Sequence, residues 1–446
     1  MKTNSKKIIS IILAVVLIVS AVPFGGFVGI NLGAVKASAL EASGTCGKNV
    51  TYTFDEETGT LTISGTGEME DYYHTPSPFN NSSTIKSVII EDGVKSVGAN
   101  AFNWATSIES VTIGNGVTSI GNHAFDNCES LKSINIPDNV TFIDSAAFYS
   151  CESLESVTIS DNVEGIGGLA FYKTAYYKNS KNWTDGALYV GKYLVEAKDT
   201  ITSCDIKDGT LLIADDAFLW CGSLENVTIP DSVRIIGENS FGDCESLKSI
   251  KIGNGVESIG FAAFSDCKSL TSVKIGSNVT SIGSEAFKCC DSLSRVMIPK
   301  NVTSIGHGAF GYIHDEDSGK YVVKNGFVIY GYKESKAETY ANKNGITFID
   351  LDSHTHSYTA TVVAPTCTKN GSTIHECICS DTYEDNYSEA TGHSFVNGVC
   401  TNCGEKVPCS CSCHKSGIAN FFWKIAMLFY KLFRTHQVCD CGAYHY

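Results

Sequence analysis

Apolar and polar positions recur along this chain with a period of 23. Phenylalanines stand at 102, 125, 148 and 171, and again at 218, 241, 264, 287 and 310, each run spaced by 23 residues. The unit reads LKSINIPDNVTFIDSAAFYSCES at 131–153 and LKSIKIGNGVESIGFAAFSDCKS at 247–269. Leu131, Ile134 and Ile136 are followed by Val140, Ile143 and the pair Ala147-Phe148. The alternation from Ser133 to Ile136 predicts a short strand with side chains on two faces. The Asp-Asn or Gly-Asn-Gly that follows predicts a turn, because these residues tolerate unusual backbone angles. A second short strand carries Val140 and Ile143, and the Ala-Phe segment closes the coil. One such coil cannot bury its apolar face alone, so the copies must stack around a common core. With backbones ~4.8 Å apart, about ten coils give a rod of roughly 50 Å.

The period slips once. From Phe171 to Phe218 is 47 residues, two periods plus one. Leu188-Tyr-Val, Tyr193-Leu-Val and Leu211-Leu-Ile keep strand character here, so residues 172–210 read as degenerate coils with a projecting loop around Tyr176 to Asp185. Tyr176, Tyr177 and Trp183 in that loop either anchor a contact or pack on the coil edge. Open ends of a solenoid need covers. Residues 44–84, with strand-like runs Val50 to Phe54 and Thr60 to Ser64, form an N-terminal β cap to a solenoid at 85–320. Residues 321–351 form the C-terminal cap: strand from Gly326 to Tyr330, helix from Ser335 to Asn342, strand from Ile346 to Leu351.

The repeat, SLxSVxIPxxVTSIGxxAFxxC in outline, resembles the BspA-type leucine-rich repeats of bacterial surface proteins. GTCGKNVTYTFDEETGTLTISGTGEM before it and VIYGYKESKAETYANKNGITF after it resemble segments that flank such repeats. The resemblance covers roughly residues 44–351. It implies a mainly β, leucine-rich-repeat solenoid on a secreted or surface protein. Its relatives bind host or matrix proteins or other cells, with no catalytic residues implied.

The N-terminus supports export. Lys2, Lys6 and Lys7 precede an uncharged apolar run from Ile8 to Val35, and Ala37-Ser38-Ala39 is a small-residue cleavage site, so residues 1–39 read as a signal peptide. The run is also long enough for an uncleaved anchor. Cleavage would remove four lysines and no acid, taking the net charge from −15 to −19. Such an acidic chain lacks the basic footprint of a nucleic-acid binder. No nucleophile elbow, phosphate-binding Gly-Lys loop or His-Glu-x-x-His helix occurs, which argues against an enzyme. His123 and His307 precede Ala-Phe pairs where other copies have Asn239, Ala262 or Glu285, and read as solvated variants.

Exposed strand positions are the better binding candidates. Thr112, Asn135, Thr158, Thr228, Lys251, Lys274 and Met297 alternate with the apolar residues, beside a second row ending in Arg295. This polar ladder turns basic toward the C-terminal coils and suits an acidic patch on an extracellular or host protein, or on a neighbouring cell surface. It serves equally to solvate an exposed sheet.

Six cysteines (128, 151, 221, 244, 267 and 290) share one repeat position, where other copies carry Ala105, Thr174 and Ile313. That substitution pattern marks a buried slot; adjacent coils bring these positions to about 5 Å, within disulfide reach, while parallel stacking aims the side chains alike and favours reduced thiols. Ten of the 19 cysteines lie instead in the last 80 residues. Composition shifts after Leu351, and 352–408 reads as a Cys/His-rich region similar to zinc ribbons. Cys400-x-x-Cys403 has knuckle spacing and Cys377-x-Cys379 is a tighter pair. One grouping is Cys377, Cys379, Cys400 and Cys403. Another is His356, Cys367, Cys377 and Cys379 in one site, with His393, Cys400, Cys403 and a later thiol in a second. Structural zinc and disulfides are the competing staples.

Residues 409–446 read as a Cys-flanked module around a helix at 418–434. Asn420, Lys424, Lys431 and Arg434 make a narrow polar stripe on it, and Phe421, Phe422, Trp423, Ile425, Leu428, Phe429 and Phe433 cover most of the rest. Such an amphipathic helix suits a membrane interface or a partner surface. Three functions compete: a non-catalytic adhesive or protein-binding surface, an envelope structural protein held by this helix, and an exported metal-binding protein.

Overall fold

A computed structural model of the chain describes residues 40–377, 382–396 and 399–403. The proposed signal segment, Cys379 and the helix at 418–434 lie outside the described residues. The described chain is a solenoid of stacked coils followed by a small Cys/His-rich module.

The repeat coils contribute strands to two parallel-paired walls, each divided along the solenoid into separate hydrogen-bonded sheets. In the first sheet Ser87–Ile90 pairs with Ser110–Ile113, and Ser133–Ile136 pairs with Ser156–Ile159, always 23 residues apart. Farther along, Asn226–Thr228, Ser249–Lys251, Ser272–Lys274 and Arg295–Met297 continue a seven-stranded sheet. The burial pattern of Ser133–Ile136 alternates exposed and buried, so Ile134 and Ile136 enter the core. The second sheet uses two-residue strands such as Ser258–Ile259 and Ser281–Ile282. A glycine after these strands lets coils stack closely: a Cβ on Gly283 would lie 2.5 Å from the Gly260 carbonyl carbon.

The third wall is the Ala-Phe segment, which turns by left-handed residues such as Ala262 (φ 50°) and Asp266 (φ 59°). Its amides point to the next coil: Phe264 N–H donates to Ala286 O at 2.7 Å, and Phe287 N–H to Ala309 O at 2.8 Å. The phenylalanines are fully buried or nearly so and stack face over face, with centroids 4.7 to 5.5 Å apart and planes within 16°. Each stacked pair adds about 0.5–1.5 kcal/mol beyond the apolar area it buries. Phe79 extends the stack one coil earlier than the run first read from the sequence.

Aromatic side chains also close both ends. Tyr52, from the antiparallel strands Val50–Asp55 and Thr60–Gly65, meets Phe79 edge-on at 5.0 Å. At the far end the helix Lys336–Asn344, capped by Ser335 and by Gly345 at φ 66°, brings Tyr340 edge-on to Phe310. No coil follows to accept the Phe310 amide. The Tyr340 hydroxyl accepts from it at 2.9 Å and donates to the Phe310 carbonyl at 3.0 Å. Val328–Gly331 and Thr347–Asp350 carry the first sheet two strands farther.

Between the two phenylalanine runs the chain departs from the repeat. A short helix, Ala175–Lys178, leads into an antiparallel hairpin of Ala187–Val190, buried throughout, and Tyr193–Ala197. Tyr193–Leu194 then pairs in parallel with Leu212–Ile213 and restores the coil. The aromatic loop turns its polar ends inward. Tyr176 Oη donates to Tyr189 O, and Trp183 Nε1 to Tyr177 O at 2.7 Å.

Two outcomes follow. Phe264→Ala removes a ring from between two others and should cost about 3–5 kcal/mol, read as a lower denaturant midpoint. Glu196, on the hairpin, is pushed up to about 8, chiefly by burial and then by Asp216. The folded chain therefore holds this proton more tightly than the unfolded one. Glu196 favours folding below its ordinary pKa of 4.5, an advantage lost as pH rises through 8. Glu196→Gln should raise the melting temperature relative to the parent at pH 8.5 and leave it unchanged near pH 4, by calorimetry.

Candidate functional site

The first sheet sets the ladder residues in register. Thr228 pairs with Lys251, Lys251 with Lys274, Lys274 with Met297, and Met297 with Tyr330, each on an adjacent strand. Thr112, Asn135, Thr158, Thr228, Lys251, Lys274 and Arg295 are exposed, while Met297 is half-buried. Neighbouring ammonium groups are thus carried on backbones ~4.8 Å apart, where like charges raise each other's energy. Lys248 and Lys268 meet acids of the preceding coil, Glu225 and, at 2.7 Å, Glu245. A groove of about 730 Å³ runs along the basic end, between Lys251, Lys274 and Arg295 on one side and Thr359 and Thr361 of the C-terminal module on the other.

The repeated cysteines are buried and face alike. Cys128, Cys151, Cys244, Cys267 and Cys290 each donate Sγ–H to the phenylalanine carbonyl of the coil before, at 3.0 to 3.3 Å. Burial pushes these thiols up, and Cys221 to about 12, so they are inert packing groups. His123 Nδ1 lies 2.9 Å from Asp126 Oδ2, inside one of the left-handed turns.

The module that follows is a sheet of Tyr358–Val363, Gly371–Cys377 and Thr382–Ser388, all antiparallel, with a small hairpin of Phe395–Val396 and Val399–Cys400. Hydrogen bonds join the turn before Gly371 to the segment leading into the hairpin. Thr391 N–H donates to Thr366 O, and Ala390 N–H to Asn370 Oδ1, both at 2.9 Å. This tie gathers Cys367, His393, Cys400 and Cys403, whose ligand atoms all lie within 4.8 Å of one another. Cys367 Sγ is 3.7 Å from Cys400 Sγ, and Cys403 Sγ is 3.5 Å from His393 Nδ1. A tetrahedral ion with bonds of ~2.3 Å to sulfur and ~2.05 Å to nitrogen has edges of about 3.8 and 3.5 Å. The group can hold a metal ion. Burial opposes a charge on Cys400, but amide donors from Asn402 and Cys403 and the His393 side chain outweigh it and bring its pKa to about 6.

A second group contains His354, His356 and Cys377. His354 and His356 alternate along an extended segment, so both rings fall on one face, with centroids 4.7 Å apart. His354 Nε2 lies 3.3 Å from Cys377 Sγ. His356 stands with Cys377, and His393 with Cys400 and Cys403, as in the second grouping drawn from the sequence, and the structure departs from the two groupings at two points. Cys367 joins His393 and the Cys400/Cys403 knuckle instead of His356, and Cys377 sits with the histidines instead of with that knuckle. The physical reason is the antiparallel pairing, which places Tyr358 opposite Cys377 and so carries the 354–358 segment past it. Sequence reasoning missed His354, although the His-Thr-His spacing was visible.

These features define a leucine-rich-repeat β-solenoid with a broad polar sheet face and a Cys/His appendix able to take metal. The model of the BspA type leucine rich repeat region matches residues 75–187 and 188–315 in six copies, and the chain belongs to that family. Among solved structures, a leucine rich cell surface protein from Faecalibacterium prausnitzii A2-165 is 24% identical, with 71% of this chain and 100% of that one covered and a TM-score of 0.32. A leucine-rich repeat protein from Bacteroides ovatus ATCC 8483 is 20% identical, with 68% and 98% covered and a TM-score of 0.28. The pneumococcal vaccine antigen PcpA is 16% identical, with 68% and 98% covered and a TM-score of 0.29. No curated protein matches the chain. Among the described residues, no helix is long and apolar enough to cross a membrane.

Proposed function

We propose that this chain is an exported, non-catalytic binding protein of the cell surface or its surroundings, which docks an acidic protein patch on the basic end of its ladder. The observation that carries the reading is the register of Lys251 with Lys274, with Arg295 exposed on the next strand. Three cations crowd onto one end of one face in a chain of net charge −15. An anionic partner gains charge-assisted hydrogen bonds from this row of cations. Repeat solenoids offer the extended rigid surface such docking needs, and membership of a leucine-rich-repeat family supports binding over catalysis. The charge-reversed triple variant K251E/K274E/R295E should lose at least tenfold in partner capture from matrix and cell-surface extracts. The parent's capture should weaken as salt rises. Equal capture by variant and parent would remove this face from consideration.

The same reading assigns structural zinc to Cys367, His393, Cys400 and Cys403. Three thiols and one imidazole at tetrahedral spacing make a closed donor set, whereas a disulfide would leave one thiol over. The module's Tyr358–Val363 strand is exposed at every position, so apolar burial contributes little there and a metal staple is of the kind small segments need. Cys400→Ser with Cys403→Ser should lower the zinc content of the purified chain by one equivalent and destabilise the module while the solenoid melts unchanged. Zinc content unaltered by these substitutions would exclude the assignment.

A further inference from the structure

We propose that His354, His356 and Cys377 form a second zinc site that clasps the C-terminal module to the end of the solenoid. It stands on three observations. The first is the donor set: two imidazoles and one thiol with ligand atoms within 4.8 Å of one another, and a His354 Nε2 to Cys377 Sγ distance of 3.3 Å, close to a tetrahedral nitrogen–sulfur edge. Among the described residues, one thiol belongs to this cluster.

The second is the support behind the ligand. His354 Nδ1 lies 2.6 Å from the Leu351 carbonyl, which can only accept, so Nδ1 carries the proton and Nε2 presents its lone pair toward Cys377. A histidine whose other nitrogen donates to a backbone carbonyl is the usual arrangement at protein metal sites, since it fixes both tautomer and ring orientation.

The third is where the ligands come from. Leu351 is buried in the C-terminal cap, and its amide donates to Gly331 O at 2.7 Å, so His354 is anchored to the solenoid. Cys377 ends a strand of the module and lines the groove that faces Lys251, Lys274 and Arg295. An ion bound to both ties the module's sheet beside the basic end of the ladder. Among the described residues the site supplies these three ligands. The clasp makes access to the basic end depend on zinc. Only that consequence rests on the proposed docking face.

The test uses the full mature chain and zinc itself. Native mass spectrometry should find one zinc fewer in H354A/H356A than in the parent, and likewise in Cys377→Ser. The cobalt-substituted parent should show two spectral components, the one with weaker thiolate charge transfer being absent from H354A/H356A. Acylation of Lys251 and Lys274, mapped by peptide mass, should be several-fold slower in the zinc-loaded parent than after chelation, and zinc-independent in H354A/H356A. Equal zinc content in parent and both variants would overturn the site. Lysine reactivity indifferent to zinc in the parent would overturn the clasp. None of the three readouts involves the binding partner, so failure of partner capture alone bears on the docking face and not on the metal site.

Discussion

A buried phenylalanine has two flat faces, and the inner rings of the runs Phe79 to Phe171 and Phe218 to Phe310 have both covered by phenylalanines of adjacent coils. The ring spacing of 4.7 to 5.5 Å matches the separation of hydrogen-bonded backbones. The aromatic core and the parallel sheets thus demand the same rise per coil. Any residue too bulky at the points of closest approach breaks both, and Gly260 and Gly283 stand at such points. Where the rings run out, the chain supplies an edge-on tyrosine, and at the C-terminal end its hydroxyl satisfies the amide and carbonyl that a next coil would have paired.

Stacking in register determines the surface as well as the interior. Residues 23 apart in sequence become neighbours in space, so a polar position repeated in sequence becomes a row on the sheet. Ser110 Oγ donates to Ser87 Oγ at 3.1 Å, and Lys248 reaches Glu225 by the same geometry. Lys251 and Lys274 become adjacent cations for that reason. The buried cysteines follow the rule too. Equivalent positions aim their sulfurs in one direction, each toward a carbonyl of the preceding coil, and so do not meet as disulfides among the described residues.

The C-terminal module obeys different physics. It lacks a repeated apolar core, and its order comes from antiparallel pairing and from donors that converge across loops. Among the described residues, one of its Cys/His groups presents four ligands to a single point and the other three. The first joins the turn before Gly371 to the last hairpin. The second joins the solenoid's cap to the module's sheet.

The sequence by itself determined the solenoid. A 23-residue period with phenylalanine, isoleucine and glycine at fixed places has one way to bury its apolar side chains, and the exposed rows of the ladder follow from strand alternation alone. Local pattern also made legible the strands Val50–Asp55 and Thr60–Gly65 and the helix Lys336–Asn344, because each is contiguous in sequence. Only the tertiary structure decided what depends on contacts between distant, non-repeated segments. It showed the hairpin at Ala187–Val190 and Tyr193–Ala197 in place of a regular coil, where no 23-residue register constrains the chain. It also showed Cys367 beside His393 and His354 beside Cys377. Ligand spacing in sequence fixes neighbours only within one turn. Which turn meets which is set by the pairing of strands, and no period in the sequence encodes that.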